Sequence, residues 1–365
     1  MAFRLPEYVP PDFSSEPLVS SPAASTEPAP ADGVAPDGFH GTSNHPEYVH
    51  LGAGRWLLAR QGRMDCALVL RGDVVDVVEL RRLTKGDPVV LGRTENGEDG
   101  IFVHDTGFGT IQTDRTNTDK FHFRTRGTRE TPFSRSYDDL YGLLKHDRDN
   151  GYITWVLGPA VIFDKDSRQA MQELIDAGYC HALLGGNALA THDLEAAVFG
   201  TGLGQDIYSQ ATRPLGHYNH LDVLNQVRQL GSIERLLEQR GISDGVVAAC
   251  LRKGVPMVLA GSIRDDGPLP EAIPNVYASQ DAMREHARKT TTCIAMATQL
   301  HTIAFGNMLP GYHADDANAV RPVYFYIIDM SEFSTDKLAN RGSMQATAIL
   351  TNVQDFIINL WRNLA

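Results

Sequence analysis

The strongest constraint on the fold of this chain is the stretch from His181 to Glu195, HALLGGNALATHDLE. Apolar Ala182, Leu183 and Leu184 come first, Gly185-Gly186-Asn187-Ala188 follow, and Leu189 to Glu195 complete it. This order describes a buried strand, a tight backbone turn and the start of a helix. Glycine at such a turn lets the backbone approach a ligand closely. A fresh helix N-terminus offers unpaired N–H groups to an anion such as a pyrophosphate. An ordinary βα turn would read the same way, so this stretch alone leaves both readings open. A second stretch, Val255 to Pro270 (VPMVLAGSIRDDGPLP), repeats the plan. An apolar strand runs into Ala260-Gly261 and a polar loop with Ser262, Arg264, Asp265 and Asp266. Two such strand ends predict the two lips of one crevice, and in open α/β sheets that crevice is where ligands bind.

The 365 residues suffice for a sizeable core and two domains. Hydrophobic residues are 42% and charged residues 21%, the balance of a soluble globular enzyme. A net charge of −12 argues against nucleic acid or an anionic membrane as partner. No uncharged apolar run reaches the roughly 18 residues of a membrane helix. The N-terminus, MAFRLPEYVPPDFSSEP, has no apolar signal segment. Cys66, Cys180, Cys250 and Cys293 stand far apart without a CxxC pair, and the expectation is buried thiols in a reducing cytoplasm.

Residues 1–37 are rich in Pro, Ser, Ala and Glu, too poor in apolar area to offset their ordering entropy. They predict a flexible tail that drapes over the body or a partner subunit. Residues 38–135 predict a small β-rich domain with a junction segment. Short apolar runs at 48–49, 56–59, 67–70, 73–80, 88–92 and 101–103 are separated by Gly, Asp and Asn. Residues 110–135 are Thr-rich and charged, a linker or an excursion at the domain junction whose arginines form a solvated face or reach an anionic substrate group. From Ser136 helix and strand alternate. A helix over SYDDLYGLLKHDRDNG has Ser136 as its cap, and the strand YITWVLGPAVI ends in Gly158-Pro159-Ala160. A helix over DSRQAMQELIDAG closes on Gly178. Helices over HLDVLNQVRQLG and ISDGVVAACLRKG lead to the strand PMVLAGS. TTTCIAMATQLHTIAFGNML (290–309) is apolar nearly all round and predicts one buried helix. The strand VYFYIIDM and a helix near VQDFIINLWRNL close the chain. The alternation predicts an α/β fold, a mostly parallel Rossmann-like sheet over 136–365 beside the smaller N-terminal β-rich domain.

Other candidates carry two readings each. Gly202-Leu203-Gly204 evokes a dinucleotide fingerprint, but no strand ends just before it, which favours a turn after a helix. Asp329 ends a strand, where a ribose-binding carboxylate or a helix cap would sit. Asp265-Asp266 beside Arg264 suits acid–base work, since adjacent carboxylates split their pKa values, or simply shapes an Asp-Gly-Pro turn. His217 and His220 in GHYNH read as proton carriers or as structural residues. His40 and His45 lack the partners of a metal site, and no metal is expected. There is no Ser/His/Asp order, no HExxH and no Walker loop.

The phrases PDGFHGTSNHPEYV, MDCALV, GPAVI, ALLGGNALATHDLE, GHYNHL, VPMVLAGSIRDDGPLP, ASQDAMR, LHTIAFGNMLP and KLANRGSMQA resemble the LOR/SDH-related family over about residues 37–350. That family includes archaeal-type NAD-dependent ornithine cyclodeaminases and the C-terminal part of cyanobacterial-type arginine dihydrolases. The resemblance implies a Rossmann-like NAD domain joined to a small β domain. It also implies a cytosolic homo-oligomer that makes proline and ammonia from ornithine, its amino-acid substrate. The implied reaction moves hydride from Cα to NAD⁺ and gives an imine. The δ-amine attacks the imine, ammonia leaves, and the hydride returns. Gly185, Gly186, Asn187 and Ala188 would then line the cofactor phosphates, with Gly261 and Ser262 on the second lip and Asp329 on the adenosine ribose. Asp265 or Asp266 would be the acid–base group, Arg264 would face an anion, and Asn187, His192 and Asp193 would be second candidates near the nicotinamide. Three segments depart from the family pattern: FHFRTRGTRETP at the junction, Thr351-Asn352-Val353-Gln354, and the insertion GYHADDANAVRP (311–322). The arginine-hydrolysing domain of some relatives is absent from the sequence. The departures keep two other readings open, a dehydrogenase or cyclodeaminase for another amino acid or imine, and a non-catalytic NAD-binding regulator.

Overall fold

The computed structural model describes residues 3–108, 134–263, 265, 267–315, 319–332, 334–335 and 345–365. The junction departure FHFRTRGTRETP, Arg264, Asp266 and most of KLANRGSMQA lie outside the described residues.

The N-terminal part carries eight strands: β1 (Ser25–Pro28), β2 (Glu47–His50), β3 (Trp56–Leu58), β4 (Gln61–Gly62), β5 (Ala67–Arg71), β6 (Val74–Val78), β7 (Pro88–Leu91) and β8 (Ile101–Val103). One antiparallel sheet has the order β1-β7-β5-β6 and another the order β3-β2-β8. Val49, Leu68, Val75, Val90 and Ile101 fill the core between them. The segment 1–37 is not the flexible tail that its composition predicts. β1 pairs with β7 from Ser25↔Leu91 to Pro28↔Pro88. Leu18 and Ala29 are buried, and the Phe13 ring stacks on Trp56 at 5.0 Å. An open sheet edge supplies backbone hydrogen-bond partners, which a segment poor in apolar side chains can still use.

The second unit opens with α1 (Ser134–Asn150), β9 (Ile153–Leu157), α2 (Lys165–Asp176), β10 (Ala182–Gly186) and α3 (Asn187–Phe199). A short hairpin of β11 (Thr201–Gly202) and β12 (Gln205–Asp206) follows, then α4 (Asn219–Leu230), α5 (Ile233–Arg240), α6 (Val246–Lys253) and β13 (Met257–Ala260). Next come α7 (Val276–Ala287), β14 (Thr292–Met296), α8 (Gln299–Met308), β15 (Tyr312–Ala314), β16 (Val320–Pro322), β17 (Tyr324–Asp329), β18 (Gln345–Leu350) and α9 (Val353–Leu364). Six of these strands form one parallel sheet in the order β13-β10-β9-β14-β17-β18. Counted along the chain that order is 3-2-1-4-5-6, the Rossmann winding, and it reverses between β9 and β14.

Both faces of the sheet are covered, which is why its strands read as near-continuous apolar runs. Trp155, Met171, Leu174, Val246 and Phe356 pack on the face under α1, α2, α6 and α9. Met283, Phe305, Met308 and Phe325 pack on the other, under α7 and α8. The Thr351-Asn352-Val353-Gln354 departure is a helix cap: Asn352 Oδ1 accepts the N–H groups of Gln354 at 2.8 Å and Asp355 at 3.2 Å.

Residues 290–309 are not one helix. They split into β14 and α8 at Ala297, a non-glycine residue with φ +51°. Thr292, Cys293, Ile294, Ala295 and Met296 are all buried, and a run buried on every side shows no period that separates strand from helix. Ser136 lies inside α1 rather than at its cap. Gly178, at φ +86°, sits one residue beyond the Ala177 C-cap of α2. α5, α7 and β18 escape the sequence reading. The insertion at 311–322 reaches back to the N-terminal part, where β15 pairs with β4 and β16 pairs with β15. Tyr312, fully buried, donates its hydroxyl to Ala59 O at 2.7 Å. All four cysteines are buried and free. Among the described residues no helix is long and apolar enough to cross a membrane.

Candidate active site

The carboxyl ends of β9, β10, β13 and β14 meet where the winding reverses. A cleft of about 390 Å³ opens there, and its lining includes Gly158, Gly186, Asn187, Ser262, Asp265 and His301. β10 and β13 are paired neighbours with Gly186 opposite Ala260, so the two expected lips adjoin. Gly186 is the N-cap of α3, at φ −90° and ψ 167°, and no side chain caps the first N–H groups of that helix. α8 starts at Thr298, likewise without a side-chain cap. Two helix N-termini therefore bring their positive ends to one cleft, where they favour an anion.

Each lip is held by short-range hydrogen bonds. Asn187, buried at the first turn of α3, accepts the Leu269 N–H at 2.9 Å and so ties α3 to the loop after β13. Asp265 accepts the Ser262 N–H at 2.8 Å and its hydroxyl at 3.2 Å, which closes that loop into a tight turn. His301 lies in the first turn of α8, its Nδ1 at 3.2 Å from Thr298 Oγ1. A Cβ added at Gly186 would come within 3.0 Å of His301 Cε1. Burial lowers the His301 pKa from its ordinary value, and the Asp265 charge opposes the shift.

A family model described as "Arginine dihydrolase ArgZ-like, C-terminal, Rossmann fold" matches residues 141–360. Ornithine cyclodeaminase of Methanopyrus kandleri is 36% identical over 341 residues, which are 93% of this chain and 77% of that protein. Among solved structures, a LOR/SDH protein of Methanococcus maripaludis superposes with a TM-score of 0.82 at 30% identity, covering 94% of this chain and 98% of that one. The bifunctional arginine dihydrolase/ornithine cyclodeaminase AgrE of Nostoc, solved as a ternary complex with ornithine and NAD⁺, gives a TM-score of 0.58 at 30% identity. That match covers 95% of this chain and 46% of AgrE. The chain belongs to the family of archaeal ornithine cyclodeaminases and ArgZ-like Rossmann domains.

The family chain gathers some of the expected residues at the cleft and leaves others out. Gly186, Asn187, Ala188, Ser262 and Asp265 line it together. Gly185 and Gly261 stand at the same strand ends but face inward: a Cβ on Gly185 would meet Leu189 Cδ2 at 2.6 Å, and one on Gly261 would meet Ile273 O at 3.1 Å. They permit close packing of the strand ends. Asp329 ends the fifth strand, away from the cleft lining, and accepts the Ser331 N–H at 2.9 Å. Asp193 is buried against Arg168 at 2.7 Å and accepts the Val246 and Val247 N–H groups, which makes it the anchor of α6. His192 binds Glu195 at 2.8 Å. The Gly202-Leu203-Gly204 run is the predicted turn after a helix, and its Leu203 and Gly204 N–H groups also bind Glu195. His40 pairs with buried Glu47 at 3.2 Å and holds the 40–47 loop.

The sequence reading missed the Thr298–His301 turn, and it noted Gly158 and Pro159 only as the end of a strand. Gly158 follows the first strand, and a Cβ there would run into the Ala297 carbonyl. Its Gly-Pro-Ala signal was visible. His301 was hidden because 290–309 reads as unbroken helix.

Proposed function

We propose that the chain is an NAD-dependent ornithine cyclodeaminase, converting L-ornithine to L-proline and ammonia and so serving proline biosynthesis. Its kinship with ornithine cyclodeaminases supports the reaction, and the cleft at the winding reversal supports the cofactor. The observation that carries the reading is that α3 and α8 both start uncapped at this cleft, around Gly186, where a Cβ would come within 3.0 Å of His301 Cε1. That arrangement fits a pyrophosphate. We further propose a cytoplasmic homo-oligomer, as the family resemblance implies.

NAD, when bound, supplies the acceptor of the Cα hydride and its later return, so the reaction has no net redox change. The protein does the rest. The backbone of Gly186, Asn187 and Ala188 would hold the phosphates at the start of α3. Asp329, at the end of the fifth strand, and Asn187, at the end of the second, would be the two candidates to hold the adenosine ribose. Ser262 holds Asp265 in place on the opposite lip, and the Asp265 charge faces the substrate amine. Arg264 and Asp266, outside the described residues, are proposed to act from the same loop on the substrate's charged groups.

The test is direct. The purified protein is denatured and its released nucleotide is identified. The native protein is then given L-ornithine, with L-lysine and L-arginine as rivals, and proline and ammonia are quantified. Released NAD and equal amounts of both products from ornithine support the reading. Turnover of another amino acid would reassign the substrate, and bound NAD without turnover of any would make the chain a regulator.

A further inference from the structure

A cyclodeaminating site must take a proton from an ammonium at neutral pH, because only the free amine can yield an imine or attack one. The described residues at the cleft offer two titratable side chains, Asp265 and His301. Asp265 spends both carboxylate oxygens on Ser262 at 2.8 and 3.2 Å. His301 is different. Its Nδ1 lies 3.2 Å from Thr298 Oγ1, while the opposite edge of the ring, Cε1 and Nε2, borders Gly186. A Cβ at Gly186 would stand 3.0 Å from Cε1 and 3.8 Å from Nε2. In the tautomer whose Nδ1–H donates to Thr298 Oγ1, Nε2 is the ring nitrogen that carries the lone pair, and it borders Gly186.

Resting on the cyclodeaminase reading above, we propose that His301 is the catalytic base of this site, with the Asp265 carboxylate lining the same cleft. The N–H bond of the substrate ammonium breaks, its electron pair stays on nitrogen, and the proton bonds to Nε2. The imidazolium returns that proton to the departing ammonia. Asp265, on the opposite lip, is the charged group that acts on His301 among the described residues. It stabilises the imidazolium formed in the step. Burial keeps the resting ring neutral at pH 7, as a base must be, and the Asp265 charge keeps it basic enough to accept. The first turn of a helix is a rigid mount for such a group, and no loop movement is required to bring it to the cleft.

Two measurements test the assignment. In the first, His301→Asn and His301→Gln are compared with the unmodified protein for thermal stability, NADH binding by fluorescence, and the pH profile of ornithine turnover. The expected result is intact folding and NADH binding, a kcat lowered by about 10²–10⁴-fold, and loss of the acid limb of the profile. Near-normal kcat in the folded variants would overturn the proposal. In the second, ¹³C-histidine NMR follows the His301 ring, assigned by its disappearance in His301→Asn, so turnover is not needed. Its midpoint should lie below the ordinary histidine value, move further down in Asp265→Asn, and shift when NADH is added. A midpoint indifferent to Asp265 would remove Asp265 from its role, and indifference to NADH would place His301 outside the cofactor site. If the NMR result holds while ornithine is not turned over, the ornithine reading fails. His301 is then retained as a base only if another amine is turned over and His301→Asn lowers that turnover, and absence of turnover with every amine overturns the assignment.

Discussion

Replacing Gly186 by valine tests the proposed cofactor cleft at the start of α3. The backbone there has φ −90° and ψ 167°, an extended conformation open to any residue, so the change introduces no backbone strain. Space is the obstacle. The new Cβ would already lie 3.0 Å from His301 Cε1 and 3.8 Å from Ala260 O, so the two γ-methyls must occupy the cleft itself. An anion seated on the α3 N-terminus would lose its approach to one or two backbone N–H groups. Hydrogen bonds to a charged group contribute about 1.5–3 kcal/mol each, so losing two weakens nucleotide binding by roughly 10²–10⁴-fold. Stability changes far less, since exchanging glycine for a branched residue at an N-cap costs about 1 kcal/mol, or ~1–2 °C of Tm for a chain of 365 residues. Fluorescence titration with NADH measures the first quantity and scanning calorimetry the second. Gly186→Ala should fall between, because a small shift of the His301 ring relieves its contact. If Gly186→Val keeps wild-type NADH affinity, the phosphates bind elsewhere, with the first βα turn at Gly158 the next candidate.

Other expectations follow from the buried charges and thiols. Glu79, from the N-terminal part, pairs with Arg63 and with Arg284 of α7. Arg284, only 2% exposed, keeps its Asp281 partner at 2.8 Å when Glu79 is lost, so Glu79→Gln should destabilise the protein by about 1–3 kcal/mol in urea unfolding, with no loss of NADH binding. Glu195 is buried, which raises its pKa, but bonds from His192, Gly204 and Thr201 outweigh burial and leave it below the ordinary carboxylate value. A depressed carboxylate stabilises the fold at neutral pH and loses that contribution as pH falls below about 4.5. The Tm of Glu195→Gln should accordingly be lower than wild type at pH 7, with the difference shrinking in acid, and a constant difference would contradict the linkage. Burial raises Cys180 and Cys293 well above the usual thiol range and Cys66 to about 11, so the native protein should leave a thiol reagent untouched and react fully only when unfolded.

The parts of the fold that showed in the sequence are those in which burial has a period or a turn has its own chemistry. β9, β10, β13 and β17 are apolar runs punctuated by Gly158, Gly186, Gly261 and Asp329, and each was visible. The two lips were visible for the same reason, because both strands end in small residues at the carboxyl edge where an open α/β sheet binds its ligands. What stayed hidden depends on contacts distant in sequence. β1 exists because β7 offers it an edge, and nothing in Ser25–Pro28 announces that partner. β14 and α8 merged into one apolar run because both are buried on nearly all sides. Asp193 and His192 looked functional through position and residue type alone. Only their partners, Arg168, the start of α6 and Glu195, reveal structural work.

The placement of α8 links the two halves of the molecule. At about 1.5 Å per residue its ten residues span roughly 15 Å. Its first turn carries His301 into the cofactor cleft, and near its end the Asn307 carbonyl accepts Arg63 Nε at 2.6 Å. Arg63 belongs to the turn between β4 and β5 and is bound through Glu79 to Arg284 on α7, the helix packed beside α8. Beyond α8 the chain does not return at once to the parallel sheet. β15 and β16 first extend β4, and only then does β17 begin. The β-rich part is thus fastened to the helix that carries the base, by one guanidinium network and one shared sheet. Arg63→Ala, which removes the contact with Asn307 without touching the cleft, should therefore change ornithine kcat while leaving NADH affinity unaltered, and an unchanged kcat would show that the link does not reach His301.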